Sequence, residues 1–173
     1  MTYGQLDTLY NTRYTVVYSY YYRLPVKVTW KLYKTDVLGD VKRDKTGFKT
    51  DKRLKPPRIT AKDYTNSGYQ RGHMCPSADW SSSRSNMRET YLMSNIAPQT
   101  AHLNNGAWKE DEIITRSFAV MYDSVLVQCG TIFDPYSVAR FSKHGIAIPP
   151  RYWKTVRVLA NDSVLFNRYY ENN

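Results

Sequence analysis

Hydrophobic and polar residues alternate with a period of two in the first forty residues. The clearest run is residues 26–32, VKVTWKL, which predicts a half-buried strand, and residues 14–22 predict a partner strand. Seven tyrosines precede Arg23 and could stack on bases, but cross-strand packing explains most of them. We therefore assign no site to this part of the chain.

The rest of the pattern predicts one long helix and further short strands. Residues 81–85 are polar and turn-like. The predicted elements are a short strand or extended segment within residues 89–96 that ends at Ala97-Pro98, a helix from about residue 106 to 122, a strand at 125–127 and a strand at 152–159. Together they predict one α+β domain over residues 1–173, with a central antiparallel sheet flanked by helices.

The long helix has two candidate faces. An advance of roughly 100° per residue puts Ala107, Ile114, Phe118 and Met121 on one stripe, which is predicted to pack in the core. A second stripe follows at i+4 spacing and is predicted to point away from the core. Its members are Asn104, Trp108, Glu112 and Arg116.

The charge balance favours a polyanionic partner. Lys and Arg number 25 against 15 Asp and Glu, which gives a net charge of +10. Nucleic acid is the leading partner class, although a merely soluble basic protein explains the charge about equally well. The charge alone does not decide between these two interpretations, so the candidate catalytic residues have to decide.

Membrane and export signals are not evident in the sequence. No apolar run approaches the roughly 18–20 residues of a membrane span, so no membrane partner is expected. The first residues lack the pattern of a signal peptide, although a removed signal would leave the same sequence. Cys75 and Cys129 are too few for a disulfide framework; buried or free thiols are expected, and one disulfide stays open in an oxidising compartment.

Residues 39–62 form a basic segment with Pro56-Pro57, which is typical of a loop. A solvated run of charges is the usual explanation, so only a positioned arginine would carry function, and Arg43 is the candidate. On the helix, Glu112 and Arg116 taken alone would be an ordinary surface ion pair, and Asn104 a cap. The chain has only three histidines, and His73 directly follows Arg71-Gly72.

Residues 68–79, GYQRGHMCPSAD, are similar to the D-R-G-H signature of the DNA/RNA non-specific endonucleases, which are ββα-metal, or His-Me finger, nucleases. Residues 91–99, YLMSNIAPQ, and 103–108, LNNGAW, resemble the next two blocks of that family in order and spacing. Weaker likeness covers the early strands and residues 48–51 and 145–154. The resemblance implies a ββα-metal finger within the α+β fold.

The resemblance also implies roles for individual residues. His73 is the general base that takes a proton from the attacking water, and Asn104 is the one direct protein ligand of Mg²⁺, with Mn²⁺ or another divalent cation as the alternative ion. Glu112 holds metal-bound water. Arg116 and, with poorer spacing, Arg43 contact phosphate.

Two further positions match the family without a fixed role in chemistry. Asn95 supports the base, and Arg71 is either structural or a phosphate contact. His102 and His144 lie outside the motif and are expected to be structural or solvent-facing. A histidine with an ordinary pKa near 6.5 predicts slow hydrolysis in acid and a rise towards neutral pH.

The main departure from the family is Gln70, which stands where the signature has aspartate and removes a charge near the base. Altered pH dependence or a lower rate is expected, because glutamine still forms hydrogen bonds.

The implied function is an endonuclease that cuts DNA and RNA with little sequence preference and leaves 5′-phosphate and 3′-hydroxyl ends. The alternative is a nucleic-acid-binding module of the same fold that has lost turnover. By resemblance, the protein is secreted or periplasmic. An inhibitor protein, and a monomeric or homodimeric state, stay open.

Overall fold

Eight strands and four α-helices are found in the residues that the computed structural model describes, which are 4–43, 47–136 and 138–173. The strands are β1 (Leu6–Tyr10), β2 (Tyr14–Ser19), β3 (Leu24–Tyr33), β4 (Gln70–His73), β5 (Ile96–Gln99), β6 (Ser124–Ile132), β7 (Arg151–Val158) and β8 (Val164–Glu171). The helices are α1 (Lys34–Val37), α2 (Arg84–Glu89), α3 (Ala101–Asn105) and α4 (Ala107–Met121). None of the described helices is long and apolar enough to cross a membrane.

Six strands form one antiparallel sheet in the order β1-β2-β3-β6-β7-β8, and β4 pairs with β5 in a second, two-stranded sheet. The α+β class and the central antiparallel sheet are therefore confirmed. The strands predicted in residues 14–22, 26–32, 125–127 and 152–159 are present, and β3 is longer than predicted, because it begins at Leu24 and ends at Tyr33. The sequence analysis did not predict β1 or β8.

One face of the large sheet forms the core. In β3, the side chains of Val28, Trp30 and Leu32 are buried while the intervening positions are exposed or half-buried. This alternation follows from the pleat of a strand, which points successive side chains to opposite faces. The buried face packs against α4 and the two-stranded sheet.

The two-stranded sheet and the helices that follow it form the predicted ββα unit. Gly72 on β4 lies opposite Ala97 on β5, and a Cβ atom at position 72 would come within 2.2 Å of the buried Gln99 side chain. Only glycine permits this approach, which explains the glycine before His73. Gly106 separates α3 from α4, and a Cβ there would lie 2.6 Å from the carbonyl oxygen of His102.

The predicted core face of the long helix is right for Ile114 and Phe118, which pack against the core, and wrong for Ala107 and Met121. Trp108 is fully buried, whereas Ala107 and Met121 are exposed and Ile114 and Phe118 only half-buried. The buried positions of α4 are Trp108, Asp111, Thr115 and Ala119. The buried stripe includes two polar residues, Asp111 and Thr115. Asp111 pairs with Arg168 and Tyr170 of β8, so a polar stripe faces the sheet.

Two local predictions also differ from the structure. The predicted turn at residues 81–85 and the start of the predicted extended segment at 89–96 are in part helical, because residues 84–89 form α2. The hydroxyl of Ser83 caps the first turn of this helix. The strand itself begins only at Ile96. Serine is a strong N-cap residue, because its hydroxyl oxygen accepts from a free backbone N–H.

Cys75 and Cys129 are both buried and free.

Candidate active site

A cavity of about 400 Å³ lies where β4, the start of α4 and the loop before α2 meet. Its lining includes every charged or titratable residue singled out above from the family resemblance: His73, Arg71, Arg43, Glu112 and Arg116. Asn104 also lines it, and so does Lys109, which the sequence analysis did not select. The described lining thus holds four cationic side chains and one carboxylate, which favours an anionic ligand.

His73 stands at the end of β4 between two aromatic rings. Its ring centroid is 4.9 Å from that of Tyr91 and 5.3 Å from that of Phe48. Burial, assisted by the positive charge of Arg43, lowers the pKa of His73 from 6.5 to about 3. The imidazole is therefore neutral near pH 7 and able to accept a proton.

The Nε2 atom of His73 is buried and has no hydrogen-bond partner among the described residues. Such an atom is rare in a folded protein, because leaving it unpaired is costly. His73 nevertheless lines the cavity, so the accessible part of its ring, rather than the sealed Nε2, is where a base would meet a water molecule.

Two buried side chains fix the main chain around His73. The indole N–H of Trp108 donates to the carbonyl oxygen of His73 at 3.1 Å. The Asn95 amide accepts from the backbone N–H of Cys75 and donates to the carbonyl oxygens of Cys75 and Thr90. Asn95 is fully buried and does not line the cavity, so it holds the main chain after His73 from behind without facing a ligand.

Gln70 contacts the predicted metal ligand. The side-chain amide of Asn104 donates to Oε1 of Gln70 at 2.6 Å. A carboxylate at position 70 would accept the same bond, so glutamine keeps the acceptor and loses only the negative charge. Because the Asn104 nitrogen is engaged, its oxygen is the atom left for a cation.

Asn104 and Glu112 suit a hydrated divalent cation. Burial raises the pKa of Glu112 to about 7, and the charge of Lys154 opposes this rise. No group of three His, Cys, Asp or Glu side chains in the described parts of the chain could enclose a metal ion. One amide oxygen and one carboxylate are nevertheless a sufficient donor set for Mg²⁺, which keeps most of its waters.

Arg116 is held by a residue that the sequence analysis did not select. Its Nη1 lies 3.1 Å from Oδ1 of Asp79, a fully buried carboxylate whose Oδ2 accepts from the indole N–H of Trp30. The partner of Arg116 is thus Asp79, whereas the surface-pair interpretation joined it to Glu112. Because Asp79 and Arg116 are 37 residues apart, no local spacing reveals the pair.

The other arginines have different anchors. Arg43 donates from Nε to the hydroxyl of Tyr91, which connects it to the His73 environment. Arg71 donates twice to the carbonyl oxygen of Ala61, so part of its guanidinium has a structural role. Both side chains still line the cavity, whereas His102 and His144 do not.

A histidine on the first strand of a ββα unit and an asparagine on the following helix, facing one cationic cavity, define the class of ββα-metal proteins. Comparison with known proteins agrees. The family model for the DNA/RNA non-specific endonucleases matches residues 1–171. The chain belongs to this family.

Similar proteins include the mitochondrial nuclease EXOG of Danio rerio, which is 30% identical over 161 residues that cover 87% of this chain and 47% of that protein. The mitochondrial endonuclease G of Homo sapiens is 33% identical over 68% of this chain and 43% of its own length. A chain in the crystal structure of the EndoG/EndoGI complex superposes with a TM-score of 0.86 and 26% identity, over all of this chain and 78% of that one. The present chain thus spans less than half of the length of these curated relatives.

Proposed function

We propose that this chain is a divalent-cation-dependent endonuclease that hydrolyses phosphodiester bonds of DNA and RNA with little sequence preference. The observation that carries the proposal is the cationic cavity that brings the imidazole of His73 together with Asn104 and Glu112. Its cationic groups match the charge of a phosphate backbone rather than the edges of bases, so little sequence preference follows.

In the proposed reaction, His73 takes a proton from a water molecule whose oxygen attacks phosphorus. The bond between phosphorus and the 3′ oxygen then breaks and the leaving oxygen takes a proton from solvent water, so that the products carry 5′-phosphate and 3′-hydroxyl ends. Arg116, held in place by Asp79, binds the phosphate oxygens with its planar guanidinium. Asn104, and Glu112 through water, would hold a Mg²⁺ ion, which would supply positive charge to the phosphate and the leaving oxygen.

Digestion of plasmid DNA and of RNA, each with Mg²⁺ and with EDTA, tests this proposal. Both substrates should be cut with Mg²⁺, and added EDTA should abolish cutting. End-labelling of the products should show 5′-phosphates. Cleavage that persists in EDTA contradicts the metal-dependent mechanism, and Mn²⁺ in place of Mg²⁺ measures the ion preference.

A second candidate, a binding module without turnover, is favoured by one observation, the glutamine at position 70 beside Asn104. We expect Gln70→Asp to raise the affinity for Mg²⁺ and the cleavage rate, by about tenfold, because a carboxylate adds a negative charge beside the ligand. Gln70→Leu should lower both, because the acceptor for Asn104 is lost.

Rates measured as a function of Mg²⁺ concentration decide between the two candidates. Salt-dependent binding without cutting in both the wild type and Gln70→Asp would establish the binding module.

We also propose that the protein works outside the cell or in the periplasm. Assay of nuclease activity in culture medium and cell fractions of the source organism tests this location. A protein inhibitor is a further proposed partner, since a chain in the EndoG/EndoGI complex has the same fold.

A further inference from the structure

Lys154 occupies a core position in β7. The inward side chains of this strand are Tyr152, Lys154 and Val156, and Lys154 is only 1% exposed. A strand that packs on a core normally places apolar side chains at such positions, and lysine is almost never fully buried without a partner. A buried ammonium here calls for a specific interaction.

Besides the effect of its charge on Glu112, the direct contact of Lys154 is with Trp108 of α4. The Nζ atom of Lys154 lies 3.8 Å from the centroid of the Trp108 ring, a geometry in which the ring face attracts a cation. The same indole also packs at a steep angle against the rings of Tyr152 and Tyr170, whose centroids lie 5.6 and 5.2 Å away. The indole is therefore held by the ammonium and by two aromatic rings.

Trp108 transmits this restraint to the candidate base. Its N–H donates to the carbonyl oxygen of His73, and α4 carries Glu112 one turn further on. A change in the tilt of the indole would therefore shift the main chain at His73. Lys154 of β7 is thus connected, through the Trp108 indole, to the main-chain carbonyl of His73.

We propose that Lys154 is a positioning residue that, through the Trp108 indole, fixes the main chain of His73 in its working geometry. This inference rests on the proposed nuclease function for its kinetic readout. A methionine would fill the space without the desolvation cost of a buried charge, and such replacements are often neutral or stabilising. The presence of lysine at a cost indicates a role other than stability.

The test compares Lys154→Met with Lys31→Met, which removes one positive charge from an exposed position on β3. We expect Lys154→Met to lower kcat by about 10- to 100-fold, as for residues that orient catalytic groups. KM should change little, because the cavity cations that bind phosphate are retained. Lys31→Met should leave kcat unchanged.

Hydrogen exchange of the Trp108 indole N–H provides a readout that does not need turnover. Lys154→Met should accelerate this exchange, while amides of β2 and β3 keep their rates and the midpoint of thermal unfolding moves by less than about 4 °C. If the wild type does not cut nucleic acid, the proposed function fails, and the exchange rate still decides whether Lys154 restrains the indole.

A second variant, Trp108→Phe, tests the proposal in case Lys154→Met does not fold. Trp108→Phe keeps an aromatic ring over Lys154 but removes the hydrogen bond to His73, so kcat should fall by a similar factor. Unchanged kcat in Trp108→Phe overturns the route through the indole. Unchanged indole exchange in Lys154→Met, or a loss of stability spread over all amides with kcat per folded molecule retained, overturns the role of Lys154.

Discussion

Replacement of His73 by alanine should lower kcat for plasmid cleavage by about 10²- to 10⁴-fold, the range that a general base contributes. The effect should fall on kcat with little change in KM, since the proposed mechanism assigns phosphate binding to the arginines that line the cavity and not to the imidazole. Steady-state digestion of a fluorogenic oligonucleotide measures both constants. Alanine removes the only imidazole that lines the cavity among the residues that the structure describes.

His102→Ala is the matched control, because His102 is exposed on α3 and does not line this cavity. It should keep the wild-type kcat. A His73→Ala protein that cuts as fast as the control would remove His73 from the mechanism. Circular dichroism of both variants checks that each is folded before the rates are compared.

The structure also changes the expected pH behaviour of His73. An ordinary histidine predicts slow hydrolysis in acid, whereas burial, with the charge of Arg43, lowers this pKa to about 3. A base works only when neutral, and a group is neutral above its pKa if its protonated form is cationic. The imidazole of His73 should therefore show no change in its NMR chemical shifts between pH 8 and pH 5, with His73→Ala identifying the resonance. Titration of the His73 imidazole near pH 6.5 would show that burial does not lower its pKa.

Replacement of Asn104 by leucine should have the second largest effect. Leucine has the branching of asparagine but offers no oxygen, so we expect kcat to fall by at least about 10²-fold at fixed Mg²⁺, as for loss of a group that stabilises transition-state charge. Asn104→Asp keeps an oxygen at the same place, and the amide of Gln70 can rotate to donate to it. The aspartate variant should therefore keep much more activity than the leucine variant.

Cation binding without substrate gives an independent measure of Asn104. Mg²⁺ should raise the unfolding temperature of the wild type and of Asn104→Asp, because a ligand that binds only the folded state stabilises it. It should not raise that of Asn104→Leu. Equal stabilisation of all three proteins would place the cation elsewhere and overturn the assignment.

Gln70 shows how a sequence difference acquires meaning only in three dimensions. In the sequence it is a lost charge near the base. In the structure, its oxygen accepts from Asn104, so the hydrogen-bonding role of the position is kept. We therefore expect Gln70 to weaken cation binding at Asn104 rather than to abolish the cation site.

The sequence by itself determined β2, β3, β6, β7 and the long helix, because the period of hydrophobic residues is a local property. The alternation in β3, for example, follows from the pleat of the strand. The motif around His73 and the spacing to Asn104 and Glu112 also lie within short stretches of chain.

Only the tertiary structure decided which side of α4 is buried, which acid holds Arg116 and how far the pKa of His73 falls. Each depends on residues distant in the chain: the sheet that packs on Trp108, the carboxylate of Asp79, and the aromatic rings around the imidazole. Burial and charge act through space, so no periodicity or spacing along the sequence encodes them.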